Sequence, residues 1–175
     1  TKEDILKFRN KYQIPESSKI LLYLGRLGKE KNLIQLLDYF KQVVEDKDDI
    51  ILVLVGGGPF QSEVEKEIKK LGLEHKVKMT GMVKPSEVPM FYKYGDIFVS
   101  ASQSETQGLT YIEAMSNGLP QVCKFDECLE NVLIEGENGY FFESGIDFKE
   151  KILKILYDEN LYEEMSTKAL EKSKH

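Results

Sequence analysis

Apolar residues fall along this chain in two alternating patterns, short continuous runs and longer stripes of helical spacing, and their order predicts the fold. Residues 4–12 have the spacing of a short helix, and Lys19–Leu24 (KILLYL) is a compact apolar run suited to a buried strand. Over 32–45, Leu33, Leu36, Leu37, Phe40, Val43 and Val44 recur at helical intervals. Ile50–Val55 (IILVLV) is the clearest strand, because an unbroken β-branched and aliphatic run marks a strand covered on both faces. A charged helix runs from there to about residue 71, followed by a strand over 77–80, a short helix over 86–93 and a strand over 97–100. Residues 109–117 are predicted helical, with Gly118 and then Pro120 as the stop signal. A fifth short strand around Val122, a helical turn over 129–134, a sixth strand over 140–142 and helices over 147–157 and 161–172 complete the pattern.

Strict alternation of strands with helices implies an α/β fold, a doubly wound parallel six-stranded sheet with helices on both faces. Such sheets bind ligands where the strand-to-helix loops gather, at the carboxyl ends of the strands. Four unusual loops belong to that edge: GRLGKEKN after the first strand, GGGPF after the second, TGMVKPS after the third and ASQSETQGL after the fourth.

A length of 175 residues fits one domain, taken here as 1–175, and leaves no room for a second of ordinary size. Lys and Arg total 24 against 30 Asp and Glu, a net charge of −6, which argues against nucleic-acid binding through a broadly basic surface. An anionic ligand must therefore be held by a local cluster. The longest apolar runs stop far short of the roughly 20 residues of a membrane span, and the first residues lack a signal peptide's apolar stretch, so the expected compartment is the cytoplasm. Cys123 and Cys128 have no further Cys or His at metal-ligand spacing and read as ordinary thiols. His75 and His175 have no visible catalytic partner, and the carboxylates of 45–49 precede a strand, on the edge opposite the four loops.

The first loop sets Arg26, Lys29 and Lys31 beside Gly25 and Gly28, an arrangement that suits either a diphosphate or a solvated basic turn. It matches neither the dinucleotide fingerprint nor a P-loop. Gly56–Gly58 reads as a tight turn with Pro59 at the first position of the next helix. In the fourth loop, Glu105 precedes a helix opened by Gly108 and Leu109, and Glu113 lies inside it. Amides at that helix start suit a phosphate, and carboxylates suit the vicinal hydroxyls of a sugar. Equally, Ser104 with Gln107 three residues on has the form of a capping box, which leaves both glutamates without a ligand.

In order and approximate spacing, GRLGKEKN, VGGGP, the TGMV loop and SETQGLTYIEAMSNGLP resemble the carboxy-terminal domain of the retaining glycosyltransferases of family 4, over residues 19–142. The wording of SETQGLTYIEAM is most similar to bacterial enzymes that glucosylate diacylglycerol. The resemblance implies a nucleotide-sugar-binding domain whose amino-terminal, acceptor-binding partner domain is absent from this chain. It assigns Arg26 and Lys31 to the diphosphate, Glu105 with the amides of Gln107, Gly108 and Leu109 to the transferred sugar and distal phosphate, Glu113 to the ribose, and the backbone near Met82 and Val83 to the base, with Gly25 in the same loop as Arg26. It also implies a UDP-sugar donor, no metal or other cofactor, transfer of a hexose with retention, and possible contact with a membrane surface through the absent domain, at the inner face. Two positions depart from the family: Gln107 stands where a Phe is common, and Gln121-Val122-Cys123 replaces a small apolar run. A sugar-nucleotide epimerase of the same architecture and a nucleotide-sugar-binding module without transfer activity remain alternatives.

Overall fold

The computed structural model describes residues 1–103 and 108–175. Six strands, β1 (Lys19–Leu24), β2 (Ile50–Val55), β3 (Val77–Gly81), β4 (Ile97–Ser100), β5 (Gln121–Lys124) and β6 (Gly139–Phe142), form one parallel sheet in the order β3-β2-β1-β4-β5-β6. Among the described residues seven α-helices cover it: α1 (Lys2–Lys11), α2 (Leu33–Asp46), α3 (Gln61–Lys70), α4 (Val88–Tyr94), α5 (Leu109–Ser116), α6 (Gly145–Leu156) and α7 (Glu159–Ser173).

The period of two in a strand sends successive side chains to opposite faces, and both faces are buried. Leu21 and Tyr23 of β1 join Ile50, Leu52 and Leu54 of β2 in one core, against Leu33, Leu36, Leu37 and Phe40 of α2 and Phe148, Ile152 and Ile155 of α6. Ile20 and Leu22 join Ile51, Val53 and Val55 in the other, against Phe8 of α1, Phe91 and Tyr92 of α4, and Tyr111, Ala114 and Met115 of α5. Helix α7 reaches both, with Met165 in the first core and Ala169 in the second. This is why β1 and β2 read as continuous apolar runs.

Some predicted boundaries move. The helix over 86–93 is a 3-10 turn (Pro85–Glu87) followed by α4, and the turn over 129–134 is a 3-10 turn at Glu127–Leu129. Pro59 does not open a helix: α3 begins at Gln61 with Phe60 as its N-cap, and Pro59 sits in the preceding turn. Helix α5 begins at Leu109 with Gly108, in a left-handed conformation (φ 63°), as its N-cap. A capping box centred on Ser104 is therefore not the cap of α5, and Ser104 itself lies outside the described residues.

Sheet order reverses between β1 and β4. Their ladder pairs Leu21 with Ile97 and Leu22 with Phe98, after which β1 leads to α2 on one face and β4 to α5 on the other. A crevice opens between two diverging loops at such a switch point.

Candidate functional site

The loop over 25–32, between β1 and α2, is anchored by its own apolar residue. Leu27 is fully buried in the first core, its N–H donates to the Gly57 carbonyl (3.0 Å), and its carbonyl accepts from the Phe60 N–H (2.9 Å). The Gly25 N–H donates to the Val55 carbonyl (3.0 Å), and the Tyr23 hydroxyl donates to the Arg26 carbonyl (2.9 Å). Two loops this close need glycine: a Cβ on Gly56 would overlap the Gly25 carbonyl oxygen, and one on Gly58 the Leu27 carbonyl oxygen. The triple glycine is thus more than a turn, since it lets the second loop lie backbone to backbone against the first.

With Leu27 pointing inward, Arg26 is left outward, and its guanidinium pairs with the Glu30 carboxylate four residues on (2.5 Å). The backbone N–H of Glu30 itself, and then the nearby Arg26 guanidinium, hold its carboxyl below the usual range. Gly28 gives this pair room, because a Cβ there would collide with both the guanidinium and the carboxylate. Lys31 closes the 3-10 turn Lys29–Lys31 and is half-buried, its N–H donating to the Gly28 carbonyl (3.1 Å).

Beside this loop lies a cavity of about 440 Å³ whose walls include Gly25, Arg26, Gly57, Met82, Val83 and Val88. Small-molecule sites commonly span roughly 300–1,000 Å³. Glycine backbone and aliphatic side chains make its walls flat and apolar, with Arg26 the charged residue among them, a surface suited to a planar base. Met82 is 88% exposed despite its apolar side chain, so its side chain is available to a ligand.

Across the crevice, Leu109 opens α5 and is more than half exposed, and Glu113 lies on the exposed side of its second turn. Glu113 meets the phenol of Tyr92 from α4, whose acidity is suppressed by burial and then by that neighbouring carboxylate; the Tyr92 hydroxyl also donates to the Thr110 carbonyl (3.3 Å). Val88, one turn before Tyr92 on α4, lines the cavity, so one helix joins the wall of the cavity to Glu113. Glu105 and Gln107 lie outside the described residues.

The fold therefore brings Gly25, Arg26, Met82 and Val83 to one cavity, and places Lys31 on the same loop as Arg26. Gly108, Leu109 and Glu113 belong to the opposite wall of the switch-point crevice. Three residues at the crevice had not been singled out from the sequence. Glu30 had a weak signal in being the acidic residue of a cationic loop, and it pairs with Arg26. Tyr92 and Asn32, which donates across the crevice to the Ala101 carbonyl (2.9 Å), act through partners distant in sequence and had none. Among the described residues, no group of three or more His, Cys, Asp or Glu could hold a metal ion.

The sheet order and the helices on both faces define a doubly wound α/β domain, with an apolar cavity at the carboxyl ends of β1, β2 and β3 and a cationic loop beside it. The family model for glycosyl transferases group 1 matches residues 4–172, and the chain belongs to that family. An alpha-monoglucosyldiacylglycerol synthase of Streptococcus pneumoniae is 35% identical over 154 residues, 88% of this chain and 35% of that protein. One from Acholeplasma laidlawii is 28% identical over 155 residues, 89% of this chain and 39% of that protein. These relatives agree with the resemblance of the fourth loop to enzymes that glucosylate diacylglycerol, and this chain spans little more than a third of their length. Among solved structures, Anabaena HepE in complex with UDP and glucose superposes with a TM-score of 0.86 at 22% identity, over 99% of this chain and 48% of that one. The C-terminal domain of a glycosyl transferase group 1 protein (LpcC) from Francisella tularensis superposes at 0.83 with 23% identity, over 97% of this chain and 90% of that one. Both share the fold.

Proposed function

We propose that this chain is the donor-binding domain of a retaining glycosyltransferase, which transfers a hexose, glucose foremost, from a UDP-sugar to a membrane lipid such as diacylglycerol. One observation carries the reading: an apolar cavity of a size for a base, at the carboxyl ends of β1, β2 and β3, is walled on one side by the structured cationic loop that follows β1. The names of the two diacylglycerol-glucosylating relatives, and the UDP and glucose bound to HepE, support the choice of donor and acceptor.

In this reading the base lies against Gly57, Met82 and Val83, and Glu113 accepts hydrogen bonds from the ribose hydroxyls. Arg26 and Lys31 hold the diphosphate. As the bond from the sugar's anomeric carbon to the phosphate oxygen breaks, the electron pair passes to that oxygen, and the two cations stabilise the charge that develops there. They take the part that a metal plays in other transferases, so no metal is required. Glu105, with the amides of Gln107, Gly108 and Leu109, orients the sugar. The acceptor attacks from the face the nucleotide leaves, and its proton passes to the departing phosphate, which gives retention without a carboxylate nucleophile. The acceptor site belongs to a further domain of the parent enzyme, so the chain alone binds donor without transferring it. Among the described residues no helix is long and apolar enough to cross a membrane, and the parent enzyme meets its lipid at the inner membrane face through that further domain.

Calorimetric titration of the chain with UDP, GDP and ADP tests the reading. UDP should bind most tightly. Because Arg26 is about half exposed (55%), its Ala variant should lose about tenfold in affinity, the low end for a charge-assisted hydrogen bond. Lys31→Ala should weaken UDP in the same direction. Folded chain that binds none of the three nucleotides would contradict the proposal.

A further inference from the structure

We propose that Asn32 is a positioning residue: it pins the cationic loop to the opposite wall of the switch-point crevice and so sets Arg26 and Lys31 for the diphosphate. This rests on the donor-site reading of those two residues. Asn32 is the N-cap of α2, yet its backbone is left-handed (φ 53°, ψ 40°) and its side chain makes no cap hydrogen bond. An asparagine at an N-cap ordinarily accepts a hydrogen bond from an amide of the first turn. Here the side chain turns away and donates through Nδ2 to the Ala101 carbonyl, 69 residues further along the chain, at 2.9 Å.

The acceptor end of this bridge is fixed. Ser100 is fully buried, and its hydroxyl accepts from the Tyr111 hydroxyl of α5 (2.6 Å) and from the Ser102 N–H (3.1 Å), which brackets Ala101 on both sides. The other end of the loop is fixed by Leu27 through Gly57 and Phe60. The loop is thus tied at Gly25 to β2, at Leu27 to the turn after it and at Asn32 to the residue after β4, so that Arg26 and Lys31 each lie between two ties, and Asn32 supplies the side-chain one. Left-handed backbone is several-fold more accessible to Asn than to most non-glycine residues, so this residue meets the conformational demand and the hydrogen-bond demand together.

Two variants separate those demands. Asn32→Gly keeps the left-handed backbone and removes the amide, and Asn32→Asp keeps the side-chain shape and replaces the donor with a carboxylate. The first measurement is limited trypsin digestion of the nucleotide-free chain, followed as cleavage after Lys29, a bond that neither substitution alters. Both variants should be cut several-fold faster than wild type while the melting temperature of Asn32→Gly stays close to wild type. The second is calorimetry with UDP and with uridine, which lacks the phosphates. UDP affinity should fall about fivefold, the worth of one net hydrogen bond, and uridine affinity should hold. Unchanged cleavage in both variants, or equal losses for UDP and uridine, would overturn the role of Asn32. Wild-type chain that binds no UDP would overturn the donor-site reading instead, and with it the purpose of the bridge, whereas the cleavage rates report on the bridge itself.

Discussion

Leu27 joins the stability of the core to the placement of the proposed diphosphate loop, and its truncation is the sharpest probe of how that loop is held. It is fully buried, although its neighbours Arg26 and Lys29 are exposed, so the loop is nailed to the first core through one residue. Leu27→Ala removes three carbons, worth about 2.4 kcal/mol at about 0.8 kcal/mol per buried carbon group. The unfilled cavity adds to this, and buried Leu→Ala changes span roughly 2–5 kcal/mol. At about 2–4 °C per kcal/mol for a chain of this size, the melting temperature should fall by roughly 5–15 °C. The control is Leu37→Ala in α2, equally buried in the same core but outside the loop. Both variants should melt early. Only Leu27→Ala should also weaken UDP at a temperature where it remains folded, because the Gly57 and Phe60 hydrogen bonds then hold a loop that has lost its anchor. Thermal unfolding and UDP calorimetry on the pair decide it. If the two variants lose stability alike and both keep wild-type UDP affinity, Leu27 is core alone and the loop is set by other contacts.

Two further outcomes follow from charges near the loop and on the helical face. Under the proposed donor site Glu30 would compete with a diphosphate for Arg26, so Glu30→Gln should strengthen UDP binding by a few-fold at low salt and by less as salt screens the site; weaker binding in this variant would show that the carboxylate orients Arg26 instead. Asp38 of α2 is pushed up to about 6 by burial and then by hydrogen bonding and repulsion from Glu67 of α3. A carboxyl raised above its unfolded value takes up its proton in the folded state first, so the unfavourable contribution is full above about pH 6 and fades as pH falls towards 4. Asp38→Asn should therefore raise the melting temperature at pH 7.5 and bring little change near pH 4, and an equal shift at both pH values would refute that assignment.

The strands and most helices were legible because each rests on a local period. Ile50–Val55 has no polar residue to turn outward, which makes it an inner strand of a parallel sheet whatever its neighbours. Arg26 and Lys31 were legible as candidates because charge and position after a strand are sequence properties, whereas Met82 and Val83 entered only through the resemblance to the family. Pro59 misled because a helix-start signal fits several registers, and α3 starts two residues later, at Gln61.

Sequence by itself thus determined the alternation of strand and helix, the edge on which the loops gather and the residue types they offer. Tertiary structure decided what those residues do. Gly56 and Gly58 read as a turn until the sheet set them against the Gly25 and Leu27 carbonyls, and Glu113 gained Tyr92 from a different helix. Asn32 carries no signal in the sequence until β4 comes to lie beside β1 and puts the Ala101 carbonyl within its reach. The physical reason is range: periodicity and capping act within about a turn of chain, whereas close approach and hydrogen bonding across the crevice exist only once strands far apart in sequence have paired.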